Sequence, residues 1–468
     1  MTYWNKQYRM KNRDNFERMT ATPVPRLIIG LAVPTIISML VTALYNVADT
    51  YFVGRLDTQS TAAIGISFSA MSVIQAFGFF FGHGSGNYIS RMLGAKEHGN
   101  AEIMASVGLF SSFMAGLAIA VTGICFLTPI CHALGSTHTI LPYARDYLGI
   151  ILIGTPFMAA SLTLNNQIRF KGNAKYAMFG ITSGAVLNVI LDPILIFGFD
   201  LGVKGAAIAT VISQITGFFI LLAIDRRTGT FSVSFKGFRP TARLYAEIVK
   251  GGLPSLLRQG LMSVSTILLN VAAKDYGDSA IAGMAITTRV IYILNAVVIG
   301  LGQGYQPVCG FNYGAKLYDR VRQGFWFCVK TGTLFFLISS IAGYIMAPEV
   351  VAMFRRGDPS VIQVGSDALR WQLMALPLGA FTLISNMMLQ TIRKAGKAAF
   401  LASARQGLFF IPCILILPHF IGMTGVEISQ AIADTLSFII ALPLTLGTLR
   451  EMKRVQDNGQ DIHMNDKG

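Results

Sequence analysis

The chain has 468 residues, 53% of them hydrophobic and only 13% charged, with a formal net charge of +15. A soluble domain cannot present that much apolar surface to water, so the composition places the chain in a lipid bilayer. The basic excess does not indicate nucleic-acid binding, because no segment outside the apolar runs is long enough to fold a basic surface.

Residues 1–25 are polar and charged, without the short apolar core and small-residue cleavage site of a signal peptide; the first span is expected to direct insertion itself. From there the chain gives uncharged runs at 27–48, 58–90, 103–144, 147–168, 176–191, 205–224, 259–273, 290–315, 331–348, 371–392, 406–426 and 435–449. A spanning helix needs roughly 20 mainly apolar residues, so the shorter runs must carry flanking ionisable residues such as Arg258 and Asp434 into the membrane. Backbone groups in lipid must be bonded internally, and runs of this length suit helices, not barrel strands.

The same pattern is written twice, about 220 residues apart. Pro34 recurs as Pro254, Gly82 and Gly84 as Gly302 and Gly304, and Gly94-Ala95-Lys96 as Gly314-Ala315-Lys316. Further on, Asp146 recurs as Asp367, Pro156 as Pro377, and Gly202 and Gly205 as Gly422 and Gly425. The expected fold is an all-α membrane protein of twelve transmembrane helices in two parallel six-helix lobes related by a pseudo-two-fold axis. The domains read as a tail (1–19), an N-lobe (20–225), a basic linker (226–243), a C-lobe (244–450) and a second tail (451–468).

Most Lys and Arg fall in the N-terminal tail to Arg26 and in 91–96, 169–175, 226–250, 316–322, 393–397 and 450–467. The opposite side holds only Arg55, Arg145, Lys204, Lys274, Arg355 and Arg356, so both termini and the linker are expected in the cytoplasm. The basic residues are expected beside anionic lipid headgroups. Cys131, His132 and His138 share one loop but make a poor metal site, and structural roles are expected of them.

A carboxylate deep in a membrane helix is costly and marks a functional site by default. Three stand out: Asp49 on the first helix, Asp192 on the fifth and Asp434 on the twelfth. Asn188 and Asp192 share a face by i,i+4 spacing, as do Ala206 and Thr210, while Asn46 and Asp49 share one by i,i+3. Pro193 removes an amide donor next to Asp192 and frees a carbonyl. If these helices adjoin, two carboxylates, an amide oxygen and a hydroxyl converge, and such a pair either shares a proton or bridges a hard cation such as sodium. The bland alternative is that each acid hydrogen-bonds a neighbouring helix, worth only about 1 kcal/mol. The C-lobe positions matching the two acids fall near Asn270 and Ile411, so one coupling site is expected, in the N-lobe. Gly82, Gly84 and Gly86 lack the Gly-Lys-Ser/Thr ending of a phosphate loop and are expected to serve close helix packing or a bend. Pro34 and Pro254 are expected to bend the first helix of each lobe.

Taken with Ser90-Arg91-Met92-Leu93-Gly94-Ala95-Lys96, its echo at Gly314–Lys316, and Asn188…Asp192-Pro193, the chain over 20–450 resembles the multidrug and toxic compound extrusion (MATE) family, closest to its bacterial multidrug-export branch. The resemblance implies a cation site, for H+ or Na+, at Asp49, Asn188, Asp192 and Thr210, with Tyr147 lining the same cavity. Tyr45, Asn46, Gln259, Asn270, Asn386 and Asp434 complete the expected substrate cavity. Some branches use acids on the seventh and tenth helices; here those helices carry Arg258, Gln259 and Asn270, and Gln372 and Asn386. The function implied is a secondary antiporter that exports organic, cationic or amphipathic compounds by alternating access. No enzyme activity and no bound cofactor are expected. Its partners would be small organic substrates and membrane lipids, and it would act as a monomer in the bacterial inner membrane. The rival reading is a flippase or exporter of a lipid-linked sugar or other metabolite, which only Arg258 and Arg289 favour; either arginine could equally make a structural salt bridge.

Overall fold

The structure is a computed structural model that describes residues 15–228, 231, 233–234, 237–355 and 358–465, with side chains at all of these except 46–51, 58, 228 and 459–465. Twelve helices among them are long and apolar enough to cross a membrane. They are α1 (Val24–Val53), α2 (Thr58–Gly94), α3 (His98–Cys125), α4 (Leu141–Phe170), α5 (Ala174–Gly198), α6 (Gly202–Thr228), α7 (Ala242–Lys274), α8 (Asp278–Gly314), α9 (Tyr318–Ile345), α10 (Pro359–Thr391), α11 (Ala395–Ile421) and α12 (Met423–Asn465). Short helices at Leu127–Ala133 and Ala347–Phe354 follow α3 and α9.

The repeat seen in the sequence is a repeat of backbone detail. Helices α2 and α8 end alike: Ala95 and Ala315 donate to carbonyls four residues back, and Lys96 and Lys316 sit at φ 64° and 60°. Such a left-handed residue closes a helix by satisfying its last carbonyls. Gly202 and Gly422, at φ 53° and 61°, open the turns into α6 and α12, where a side chain would be strained. Three residues on, a Cβ at Gly205 or Gly425 would lie 2.7 Å from the Leu195 carbonyl carbon or 2.5 Å from that of Leu417. Only glycine lets these helices start so close to the chain they have just left. A further pair was not apparent from the sequence: Asn165 donates to the Ala177 carbonyl (2.8 Å) and Asn386 to the Ala398 carbonyl (2.7 Å), joining α4 to α5 and α10 to α11.

Two compact units emerge, Met1–Thr22 with Val33–Leu256, and Pro23–Ala32 with Leu257–Gly468. They therefore exchange the first turns of their leading helices, which the expected boundaries at 225 and 244 did not anticipate. The divisions fall within two residues of Pro34 and three of Pro254, each inside its helix, where the missing amide leaves one carbonyl unbonded. The repeated glycines receive those turns: a Cβ at Gly84 would meet the Ile248 carbonyl oxygen at 2.5 Å, and one at Gly304 the Ala32 Cα at 2.5 Å. Close packing, not phosphate binding, is what these glycines serve.

In the first unit, α4 is the most buried span and is tied to its neighbours by polar side chains. Thr163 donates to the Gly78 carbonyl and to Ser112 Oγ, and Gln167 to Ser85 Oγ and the Ala105 carbonyl. An apolar cluster of Met71, Tyr147, Ile151, Met158, Val203 and Ala206 fills the space between α2, α4 and α6. In the second unit the corresponding span, α10, is the most buried of all. There Leu269, Ala273, Met284, Phe410 and Ala433 make the core.

One expectation is corrected. Several basic residues assigned to lipid headgroups are inside the first unit. Lys171 and Asp225, each 1% exposed, form an ion pair of 2.7 Å; Arg91 pairs with Glu247 at 3.2 Å. Arg169 is buried against His83 Nε2 (3.2 Å), Asn166 Oδ1 and the Phe170 ring, and His83 Nδ1 lies 3.1 Å from Ser255 Oγ. Lys171 also donates to the Phe231 carbonyl and lies 4.1 Å from the centre of that ring, while Asp225 accepts from Val233 N. Phe231 and Val233 are thereby tied to the unit. Asn15 and Arg18 donate to the Lys171 and Gly172 carbonyls, and burial lowers the pKa of Arg18.

Candidate functional site

The first-unit site is built on the close approach of α5 and α6. Gly184 on α5 faces the Ser213 carbonyl, where a Cβ would sit at 3.1 Å, and Gly180 is covered by Leu221. With no side chain on α5 at those levels, the helices lie close enough for short polar side chains to reach across one turn further on. Asn188 Nδ2 donates to Asp192 Oδ1 (3.2 Å) and to Thr210 Oγ1 (3.4 Å). All three residues are buried, Asp192 completely. The i,i+4 reading of Asn188 and Asp192 is correct, and Ala206, one turn before Thr210, is buried on the same face of α6. Directly after Pro193 the helix widens into a π-turn over Ile194–Gly198. Such turns interrupt the regular ladder, and they concentrate at functional sites.

This set is rich in oxygen. Asp192 offers a carboxylate, Thr210 a hydroxyl, and the Asn188 Oδ1 has no hydrogen-bond partner among the described residues. Half a turn of the amide about its terminal torsion would exchange donor for acceptor toward the other two. The donors fit a hard monovalent cation or a proton.

Tyr147 lies in the adjoining apolar cluster, fully buried, with its hydroxyl 3.9 Å from Met71 Sδ and with Ala206 in the same cluster. It thus stands next to the α6 turn that carries Thr210. Tyr45 is half-buried on α1. The side chains of Asn46 and Asp49 lie outside the described residues.

The second unit holds a different polar group. Arg405 grips Asp434 with a fork, Nε to Oδ1 at 2.7 Å and Nη2 to Oδ2 at 3.0 Å, and Gln430 Nε2 adds a third bond at 2.8 Å. Arg405 lies in a π-turn of α11, Ala404–Phe409. Arg258 donates to Asn386 Oδ1 at 3.5 Å. Gln259 is half-buried and Asn270 exposed within this unit. Arg405 stands just before the charge-free run 406–426, outside the segment that run marks out. The signal was the length of that run: α11 needs the residues on both sides of 405 to cross a bilayer.

A family model described as MatE matches residues 34–194 and again 254–416, one match to each repeat, starting at Pro34 and at Pro254. The chain belongs to the MatE family. Among its relatives, Multidrug export protein MepA of Staphylococcus haemolyticus (strain JCSC1435) is 31% identical over 419 residues, covering 89% of this chain and 92% of that protein. The protein of the same name from Staphylococcus aureus (strain MRSA252) is 28% identical, covering 90% and 93%. A solved outward-facing conformation of a multidrug resistance MATE family transporter of the MOP superfamily superimposes with a TM-score of 0.88 at 26% identity, covering 94% of this chain and 99% of that one. A MOP superfamily transporter from Pyrococcus furiosus, described as having a binding pocket of reverse polarity, gives 0.87 at 26% identity, covering 94% and 98%. As a MatE family member the chain has its two-lobed, twelve-helix fold.

Proposed function

We propose that this protein is a secondary antiporter of a bacterial cytoplasmic membrane, exporting organic cationic or amphipathic compounds, including drugs, in exchange for H+ or Na+. The observation that carries the proposal is the buried Asn188–Asp192–Thr210 group beside a π-turn. A carboxylate this deep must exchange its charge for a proton or a cation, which is the property an ion-driven carrier needs. The naming of its relatives as multidrug export proteins supports the cargo class.

In this reading Asp49 completes the ion site from α1. The ion enters from outside, neutralises the acids and rearranges the first unit, and cargo leaves by alternating access. While Asp192 is ionised, Asn188 donates its N–H to it; once Asp192 is protonated, the turned amide accepts the new O–H. An ion moving inward down a 100 mV potential provides about 2.3 kcal/mol, nearly two decades of concentration ratio for one-to-one exchange. The chain works as a monomer with both termini in the cytoplasm, and no covalent step is assigned to it.

The test is efflux of a cationic dye from inverted vesicles driven separately by proton and sodium gradients. Asp192→Asn should remove the response to either gradient while leaving the amount of inserted protein unchanged. Undiminished gradient-driven efflux in Asp192→Asn would exclude this site.

A further inference from the structure

The second unit carries more positive charge in its middle than it neutralises. Arg258 lies at the centre of α7, 16 residues from either end, or about 24 Å at 1.5 Å per residue. Residues at i, i+3 and i+7 from it mark one face of that helix, and this face rests on the π-turn of α11. Leu261 lies 3.1 Å from where a Cβ on Gly407 would be, and Ser265 Oγ donates to the Gln406 carbonyl at 2.6 Å. Arg258 is thus directed toward the segment of α11 that carries Arg405.

Asp434 cannot neutralise both. Its two oxygens are engaged by the Arg405 fork and by Gln430. Asn386, whose amide nitrogen is committed to the Ala398 carbonyl, offers Arg258 one oxygen at 3.5 Å, a long and uncharged contact. A guanidinium has five N–H donors, and this contact is the only hydrogen bond of Arg258 among the described residues. A charge with no counter-charge inside a spanning segment is costly, about 2.5–3.5 kcal/mol at the bilayer centre, and marks a functional site by default.

We propose that Arg258, backed by Arg405, is a carboxylate-binding subsite of the second unit, so that cargo bearing a free carboxylate is held there by its anionic end. This rests on the export reading above for the existence of a cargo. One monoanion restores neutrality to two guanidiniums and one carboxylate, whereas a phosphate dianion would overshoot it. A guanidinium also accepts a carboxylate through two parallel bonds. Lys250, the nearest basic residue assigned to the cytoplasmic surface, lies eight residues or about 12 Å away along α7; a headgroup would have to leave the surface to reach Arg258, so the ligand we assign is the cargo itself.

The experiment uses the purified full chain in detergent, without any ion gradient, and a pair of xanthene dyes that differ only in a free benzoate and its methyl ester. Binding is read by fluorescence polarisation. Arg258→Gln should weaken the acid by about tenfold or more, the change expected when one charge-assisted bond is lost, and leave the ester within about twofold. Arg258→Lys should keep the preference for the acid. On the wild type, benzoate should displace the acid dye and benzamide should not, a result that does not depend on any variant folding. Equal effects of Arg258→Gln on both dyes, no effect on either, equal displacement by benzoate and benzamide, or a wild type that binds neither dye would overturn the subsite. Failure of the export reading shows separately, as wild-type inverted vesicles in which neither a proton nor a sodium gradient drives efflux of a cationic dye.

Discussion

Removing the carboxylate of Asp434 tests how the second unit tolerates its charges. Asp434→Asn keeps the side chain's shape and leaves Arg405 facing an amide. The pair it breaks is nearly buried, 17% and 6% exposed on the two side chains, and is joined by a two-bond fork. Breaking one member of a buried pair costs about 3–5 kcal/mol, because the remaining charge stays desolvated. For a unit of this size that corresponds to a fall in Tm of roughly 6–20 °C. Replacing both partners, Arg405→Met with Asp434→Leu, should recover most of the loss, since an apolar pair of similar volume avoids the desolvation altogether. Thermal denaturation of the purified protein, followed by loss of monodispersity on size exclusion, measures all three. A single variant within about 1 kcal/mol of the wild type, or a double variant worse than the single, would refute the reasoning, for either result would mean that Arg405 already has water or another acid to neutralise it.

Three further outcomes follow from the first unit. Lys171→Met removes the bond to the Phe231 carbonyl and the charge that balances Asp225, so trypsin should cut between Arg226 and Arg239 about tenfold faster or more; an unchanged rate would show that other contacts hold this segment. Gly84→Ala puts a methyl group 2.5 Å from the Ile248 carbonyl oxygen and should lower the yield of folded protein sharply, whereas Gly30→Ala, with open space around the added carbon, should be neutral or stabilising. Asp192→Asn should also bind a cationic dye with an affinity that no longer changes with sodium concentration, measured by equilibrium titration.

The architecture was legible because lipid imposes it. Residues such as Pro34, Gly84 and Lys96 recur in register with their partners, and each marks a place where the backbone itself is constrained. The pairing of Asn188 with Asp192 was equally accessible, since both lie on one helix. Interhelical partners were harder to see. Arg405 and Asp434 are 29 residues apart on different helices, and nothing local in the sequence pairs them. Asn386 illustrates the other limit: its nitrogen holds the same clamp that Asn165 makes in the first repeat, a role that a polar residue in an apolar run does not announce. Lys171 was misassigned because charge counting treats every lysine near a span end as solvated, while tertiary packing had enclosed it with Asp225.

The exchanged leading turns have a bearing on ancestry and on assembly. Because Pro23–Ala32 belongs with the later unit and the start of α7 with the earlier one, neither half of the gene encodes a self-sufficient body. Cut within the linker, the chain would yield two fragments, each lacking the helical turn that seats on its own glycine at 84 or 304 and each carrying the turn its sibling needs. A half-length precursor encoding one such repeat would therefore have had to pair with a second copy, swapping arms, before fusion made the exchange permanent.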